Sequence, residues 1–278
     1  MKNQIRFSIL VIAFILSTVS SFSQNKQEQP SLEGKNVIFV YGGWQGHKPT
    51  ESVDVFVPKL KEKGANVKVF NSLEVYTDQN LMAETDLIIQ AWTMGKITNE
   101  EFKGLQTAVM NGTGFAGWHG GTGDAFRDNF NFQFMVGGQF VSHPGGKIDF
   151  TVDIVDSDNY ITKDINDFEL KQTEQYYMLI DPNIKVLAIS EFNRERYVKE
   201  GQPENKVTGS IVPMVWKKNF GKGRIFYSSI GHNLTDFDVT EVLKIQMRGF
   251  EWAAQGKHQQ PENTISPVYG YLKNSNLN

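Results

Sequence analysis

Through the first half of this chain, short apolar runs alternate with stretches of helical periodicity, and that alternation leaves few folds open. Asn36 to Tyr41 (NVIFVY) is a run of the kind buried on both faces of a sheet, and it ends in Gly42-Gly43. From Thr50 to Lys63, Val53, Phe56, Val57 and Leu60 recur at helical spacing, and Gly64 stops the pattern. Asn66 to Phe70 and Leu87 to Ala91 read as a second and third strand. Thr98 and Glu101 predict a capping box for a helix with Phe102, Leu105 and Val109 as its stripe and Gly112 at its end. Gly114 to Trp118 is then a fourth strand. Strand and helix joined by short links predict an α/β fold, a single three-layer sandwich with a mostly parallel sheet.

The second half is less regular. Strands are expected at Ile148 to Ile154, Gln172 to Met178 and Lys185 to Ile189. Pro213 to Trp216 and Arg224 to Ser229 read as a hairpin around Asn219 to Gly223. A closing helix from about Val239 to Ala254 carries Leu243, Met247, Phe250 and Ala254 on one face. No internal repeat or low-complexity block occurs. One domain over residues 35–258 follows, with a polar tether at 24–34 before it and a loose tail at 259–278.

The first 23 residues read as a leader. Lys2 and Arg6 precede an apolar run from Phe7 to Val19, interrupted only by Ser8, Ser17 and Thr18. The run is short for a bilayer span and leads into Ser21-Phe22-Ser23, a small-x-small cleavage site that leaves Gln24 as the new terminus. A retained anchor is the alternative. Export to the periplasm or beyond is expected, with no membrane contact after cleavage.

The chain has no cysteine. Stability therefore rests on a hydrophobic core, no lipid attaches through a thiol, and no thiol nucleophile exists. The formal charge of −3 becomes −5 once Lys2 and Arg6 are gone, which argues against a nucleic-acid partner. No G-x-S-x-G, Walker loop, complete dinucleotide fingerprint or H-E-x-x-H occurs, so no nucleotide is expected. Glu174 and Asp181 are only scattered candidates for a glycosidase carboxylate pair.

Ligands of parallel α/β sheets bind at the carboxyl ends of the strands. Gly42-Gly43-Trp44-Gln45-Gly46-His47 follows the first strand directly. Gly117-Trp118-His119-Gly120-Gly121, after the fourth, has the G-x-H-x-G spacing of a nucleophile elbow with histidine at its centre. Such a histidine suits general acid/base work or a metal, and it projects into a solvated cleft, so its truncation is expected to leave no core cavity. His143 lies in the glycine-rich connection Gly137 to Pro144, and His232 follows the late strand. His258, beyond the last helix, is expected to be solvated. A plain structural turn is the competing reading for each segment.

Four segments together, GFAGWHGG, GGQFVSHP, TEQYY and PMVWKKNFGKGRIFYSSIGH, make the chain from Asn36 to Gly256 resemble the ThuA-like (trehalose-utilisation) family. The resemblance implies a flavodoxin-like sandwich related to class I glutamine amidotransferases, with His119 at the elbow otherwise used by a cysteine. It also implies a link to disaccharide and keto-sugar catabolism. Two positions depart from the family pattern: Gly120-Gly121 stands where Ser/Cys-Ala is usual, and Thr173 where an aspartate commonly precedes Glu174.

The expected function is that of an exported sugar-processing enzyme (a lyase, isomerase or hydrolase of keto-glycosides) without a Cys or Ser nucleophile. His119, His143, Glu174 and His232 would be catalytic, with His119, His143 and His232 as possible ligands of a divalent metal. Gly43, Trp44, His47, Trp118, Gln139 and Tyr176 would bind substrate, the aromatic residues by stacking on sugar faces. A non-catalytic carbohydrate-binding protein, or a partner subunit of a sugar oxidoreductase, are the alternatives.

Overall fold

The computed structural model describes residues 29–193 and 207–261. The leader, its cleavage point and most of the C-terminal tail lie outside the described residues. Among these residues no helix is long and apolar enough to cross a membrane.

The strands are β1 (Asn36–Gly43), β2 (Asn66–Phe70), β3 (Leu87–Thr93), β4 (Gly114–Trp118), β5 (Gly138–Ser142), β6 (Lys147–Ile154), β7 (Phe168–Glu174), β8 (Tyr177–Ile180), β9 (Lys185–Glu191), β10 (Ile211–Phe220) and β11 (Gly223–Ser228). The helices are α1 (Pro49–Glu62), α2 (Gln79–Glu84), α3 (Asn99–Met110), α4 (Gly120–Gly123), α5 (Phe130–Val136) and α6 (Thr240–Ala253). Nine strands form one sheet in the order β2-β1-β3-β4-β11-β10-β9-β6-β7, and β5 pairs with β8 apart from it. The strands from β2 to β11 in that order are parallel; those beyond are antiparallel. The sheet is thus a parallel half joined to an antiparallel half.

Both faces of the parallel half are covered, as the unbroken apolar runs require. Val37 and Phe39 of β1 pack with Phe56 and Leu60 of α1 and with Val242, Ile245 and Phe250 of α6. Ile38 and Val40 point the other way, into a cluster with Phe102 and Leu105 of α3 and Phe132 and Met135 of α5. Each such side chain contributes about 1.5–3 kcal/mol of transfer free energy when fully buried. The expected capping box is present: Glu101 N–H donates to Thr98 Oγ1 at 3.2 Å, and Thr98 N–H to Glu101 Oε2 at 2.8 Å.

Two expectations change, and two elements appear that no expectation covered. The run Gln172 to Met178 is two strands, because the chain breaks at Gln175 and Tyr176, both buried. Helix α5 and strand β5 had no clear periodic signal. The segment before β1 is more than a tether, since Leu32 is buried in the α1/α6 cluster and Gln255 Nε2 donates to the Ser31 carbonyl at 2.7 Å.

Candidate active site

His119 stands at φ 42°, ψ −138°, a left-handed conformation that a residue with a side chain adopts only under constraint. The constraints are visible. Its N–H donates to the Ser228 carbonyl at 2.7 Å, and its own carbonyl accepts from the Tyr227 hydroxyl at 3.0 Å and from Gly123 N–H at 2.9 Å. A Cβ on Gly117 would collide with Thr122 and the Gln90 carbonyl, and one on Gly120 would overlap the His47 ring. The elbow is therefore real in geometry, but its histidine is not solvated as expected. His119 is 1% exposed, because Tyr176 stacks on its ring at 3.9 Å and the rings of His47 and His232 close on it edge-on.

The elements of both sheet halves meet around that ring. His119 Nδ1–H donates to the Ser229 carbonyl at 2.8 Å, which turns Nε2 toward Glu174 Oε2, 3.2 Å away. Glu174 ends β7. His47 ends the single 3-10 turn Gln45–His47 after β1, with its Nδ1 3.0 Å from Thr93 Oγ1. Its ring centroid lies 4.8 Å from that of His119 and 5.3 Å from that of His232. His232, just after β11, has Nδ1 3.1 Å from Glu174 Oε2, yet the approach lacks hydrogen-bond alignment and that nitrogen is buried with no other partner. One donor atom each from His47, His119, Glu174 and His232 lies within 4.8 Å of the others.

The electrostatics follow from burial and from crowding. Burial pushes the His47 pKa down to about 3, with the neighbouring imidazoles of His119 and His232 adding to the effect. Burial also lowers that of His119, outweighing the contacts with Glu174 and Ser229. Burial pulls Glu174 upward, but its contacts with His119 and His232 prevail and hold the carboxyl below its ordinary range. The result is an ionised Glu174 beside two imidazoles, those of His47 and His119, that favour their neutral form. Tyr176 is raised well above a free phenol, first by burial and then by Tyr227, Glu174 and Asp124.

The other expected site residues fall in several places. His143 comes to the site from the β5–β6 connection, but it is not in the donor cluster: its Nε2 lies 3.7 Å from Glu174 Oε1, on the carboxylate's other oxygen, and its side chain is 44% exposed. Trp44 is at the rim, 48% exposed and edge-on to His47 at 4.8 Å. Gly43 is needed by the backbone, since a Cβ there would strike the Thr93 carbonyl. Trp118 offers no sugar face, being 4% exposed and packed among Phe39, Phe56, Phe237 and Phe250. Tyr176 offers none either, because His119 and Phe140 cover its ring. Gln139 lies away from the histidines, lining a cavity of about 550 Å³ with Leu179, Asp181 and Lys218.

Asp181 forms an ion pair with Lys218 at 2.6 Å in that cavity, so it is no partner for Glu174. His258 is not simply solvated: its Nε2 lies 2.8 Å from Asp86 Oδ1, at the amino end of β3. Thr173 donates its hydroxyl to Asp236 Oδ2 at 2.7 Å, tying β7 to the turn that follows His232. Thr93 and Ser229, which orient two of the imidazoles, carried no motif that sequence reasoning could have used. A cavity of about 580 Å³ between α2 and α3 contains no histidine and lies off the strand carboxyl ends.

Residues 36–253 match the family model described as trehalose utilisation, ThuA. Among solved structures, a putative ThuA-like protein from Bacteroides uniformis is similar at 18% identity and a TM-score of 0.67, over 84% of this chain and 95% of that one. A second putative ThuA-like protein, from Parabacteroides merdae, is similar at 17% identity and a TM-score of 0.63, over 84% of this chain and 98% of that one. These likenesses show a shared fold. No curated protein matches the sequence.

Proposed function

The chain belongs to the trehalose-utilisation (ThuA) family, and from that premise we propose that it is an exported enzyme of carbohydrate catabolism acting on a keto-glycoside or disaccharide. The observation that carries the reading is Glu174. Its Oε2 faces His119 and His232 inside the site, while its Oε1 faces the half-exposed His143 at the mouth. A partly buried carboxylate that links an inner set of imidazoles to an outer one is built to hold and move protons.

In a sugar bearing a ketone, the hydrogen on the adjacent carbon is acidic, and its removal needs a base but no nucleophile. The chain has no cysteine to supply a thiolate. His143 takes that proton, and Glu174 stabilises the imidazolium that results. The electron pair left on carbon forms a carbon–carbon double bond and expels the glycosidic oxygen from the next carbon. The imidazolium returns its proton to that oxygen. Return of the proton to a different carbon would give the isomerase outcome instead. Trp44 supplies an exposed aromatic face at the rim, where a pyranose can stack. The basic, apolar and serine-rich start of the chain supports export.

Purified mature protein incubated with an oxidised disaccharide and with its unoxidised parent tests the reading. Turnover of the oxidised sugar alone is expected. Saturable binding of the sugar without turnover would replace the reading with a carbohydrate-binding role, and neither turnover nor binding would overturn it.

A further inference from the structure

We propose that His47, His119, Glu174 and His232 form a binding site for one divalent first-row transition cation of the zinc type. This rests on the reading of the same cleft as the reaction site, and it deepens that reading by naming a cofactor class and its ligands.

The donor spacing fits. A tetrahedral ion with bonds of about 2.1 Å to nitrogen and oxygen sets its ligand atoms roughly 3.4 Å apart. His119 Nε2 and Glu174 Oε2 are 3.2 Å apart, and His232 Nδ1 and Glu174 Oε2 are 3.1 Å apart. All four donors fall within 4.8 Å of one another, so closure on an ion needs side-chain shifts of about an ångström at the widest pair.

The hydrogen bonds around the cluster also fit. Metal-bound imidazoles commonly donate their other N–H to an oxygen, which fixes the tautomer and aims the free lone pair. His119 does this to the Ser229 carbonyl, leaving the Nε2 lone pair aimed at Glu174. His47 has Thr93 Oγ1 at its Nδ1, leaving Nε2. His119 Nε2 and Glu174 Oε2, 3.2 Å apart, both belong to the four-donor cluster. His232 adds an independent sign: its side chain is 10% exposed, and its Nδ1 is buried beside Glu174 without a hydrogen-bond partner.

His47 reaches the cluster only because residue 120 is glycine, since any side chain there would occupy its ring. His143 lies outside the set, on the far carboxylate oxygen, and keeps the proton-carrying role. Three imidazoles and one carboxylate suit zinc, iron, cobalt or nickel rather than magnesium or calcium, which prefer oxygen. When bound, such an ion supplies Lewis-acid polarisation of a substrate carbonyl.

The test uses the full mature chain, stripped with a chelator, dialysed, and titrated with zinc and separately with cobalt(II) in the absence of sugar. One ion per chain is expected, with a raised unfolding temperature and a visible cobalt spectrum of nitrogen and oxygen ligation. His232→Gln and Glu174→Gln should each weaken zinc binding by on the order of 100-fold or more, and His143→Gln by less than about threefold. Gly120→Ala, which leaves every ligand in place in the sequence, should weaken it by displacing His47. No retention of zinc or cobalt by the wild type overturns the proposal, as does binding that survives both ligand substitutions. Because binding is read without sugar, an ion held by a protein inert toward oxidised disaccharides would overturn the reaction and leave the site standing. Turnover by a wild type that retains neither zinc nor cobalt would do the reverse.

Discussion

His143 and Glu174 meet across 3.7 Å at the mouth of the cleft, on the carboxylate oxygen that the buried histidines leave free. The exposed ring has few packing contacts beyond Phe140, on which it stacks at 6.0 Å. His143→Gln is therefore expected to lower turnover of an oxidised disaccharide by on the order of 10²–10⁴-fold. Its stability should change by less than about 0.5 kcal/mol, as for a surface substitution. Steady-state kinetics beside urea unfolding reads both, and unchanged turnover would remove His143 from the reaction.

His119 should behave differently. Truncation to alanine strands the Ser229 carbonyl and one side of Glu174 in a buried site, and it empties the space under Tyr176. The expected loss of stability is about 1–3 kcal/mol, larger than a solvated elbow residue would give. A change below about 0.5 kcal/mol in denaturant unfolding would mean that water enters freely where the ring now sits.

Thr173→Asp should destabilise this chain. The threonine hydroxyl donates to Asp236, which also accepts from Asn233 N–H at 3.1 Å. A second carboxylate in that buried place meets like charge and cannot donate when ionised. A loss of about 2 kcal/mol is expected, recovered in large part by the double variant Thr173→Asp, Asp236→Asn. A fully stable single variant would show that the link between β7 and the turn after β11 contributes little.

Acid should weaken the metal-free protein before most carboxylates titrate. The folded-state pKa of His47 is near 3 against an ordinary 6.5. The unfolded chain therefore binds a proton below pH 6.5 that the folded chain refuses until about pH 3, and stability falls as pH drops through that window. His119 is shifted in the same direction, and Glu174, held below its usual value, adds further loss under more acidic conditions. The slope is at most about 1.4 kcal/mol per pH unit for one group. Unfolding followed in chelator across this range should show the decline, and His47→Gln should flatten it. A wild type that gains stability on acidification contradicts the assignment.

The parallel half was legible in the sequence because its strands are buried on both sides and its helices are capped by local chemistry. Val37 to Val40 announce a doubly covered strand by composition alone, and Thr98 with Glu101 announces the start of α3. Helix α5 was not legible, since Phe130 and Phe134 point outward and blur any apolar stripe. His119, His143 and His232 could be singled out by their glycine-flanked loops. Their division into inner and outer sets could not, because it depends on which oxygen of Glu174 each one meets. Trp118 and Tyr176 were read by residue type as sugar platforms. Strand alternation held the better signal for Trp118, which shares its face of β4 with the buried Ala116. For Tyr176 no local signal existed, because its partner His119 is far away in the sequence.

The strand order has a consequence for how the molecule comes into being. Strand β11 lies between β4 and β10, so residues 223–228 complete a layer whose first members were laid down near residue 36. Pairings that span so much sequence are slow to form, since the intervening chain must be ordered before the contact repays it. The parallel half cannot zip up progressively from the amino terminus. It must wait with the edge of β4 open until the last quarter of the polypeptide arrives. That open edge is where a nascent or refolding chain is most prone to pair with a neighbour. Insertion of β11 also delivers His232 beside His119, so productive folding and assembly of the histidine cluster are a single late event.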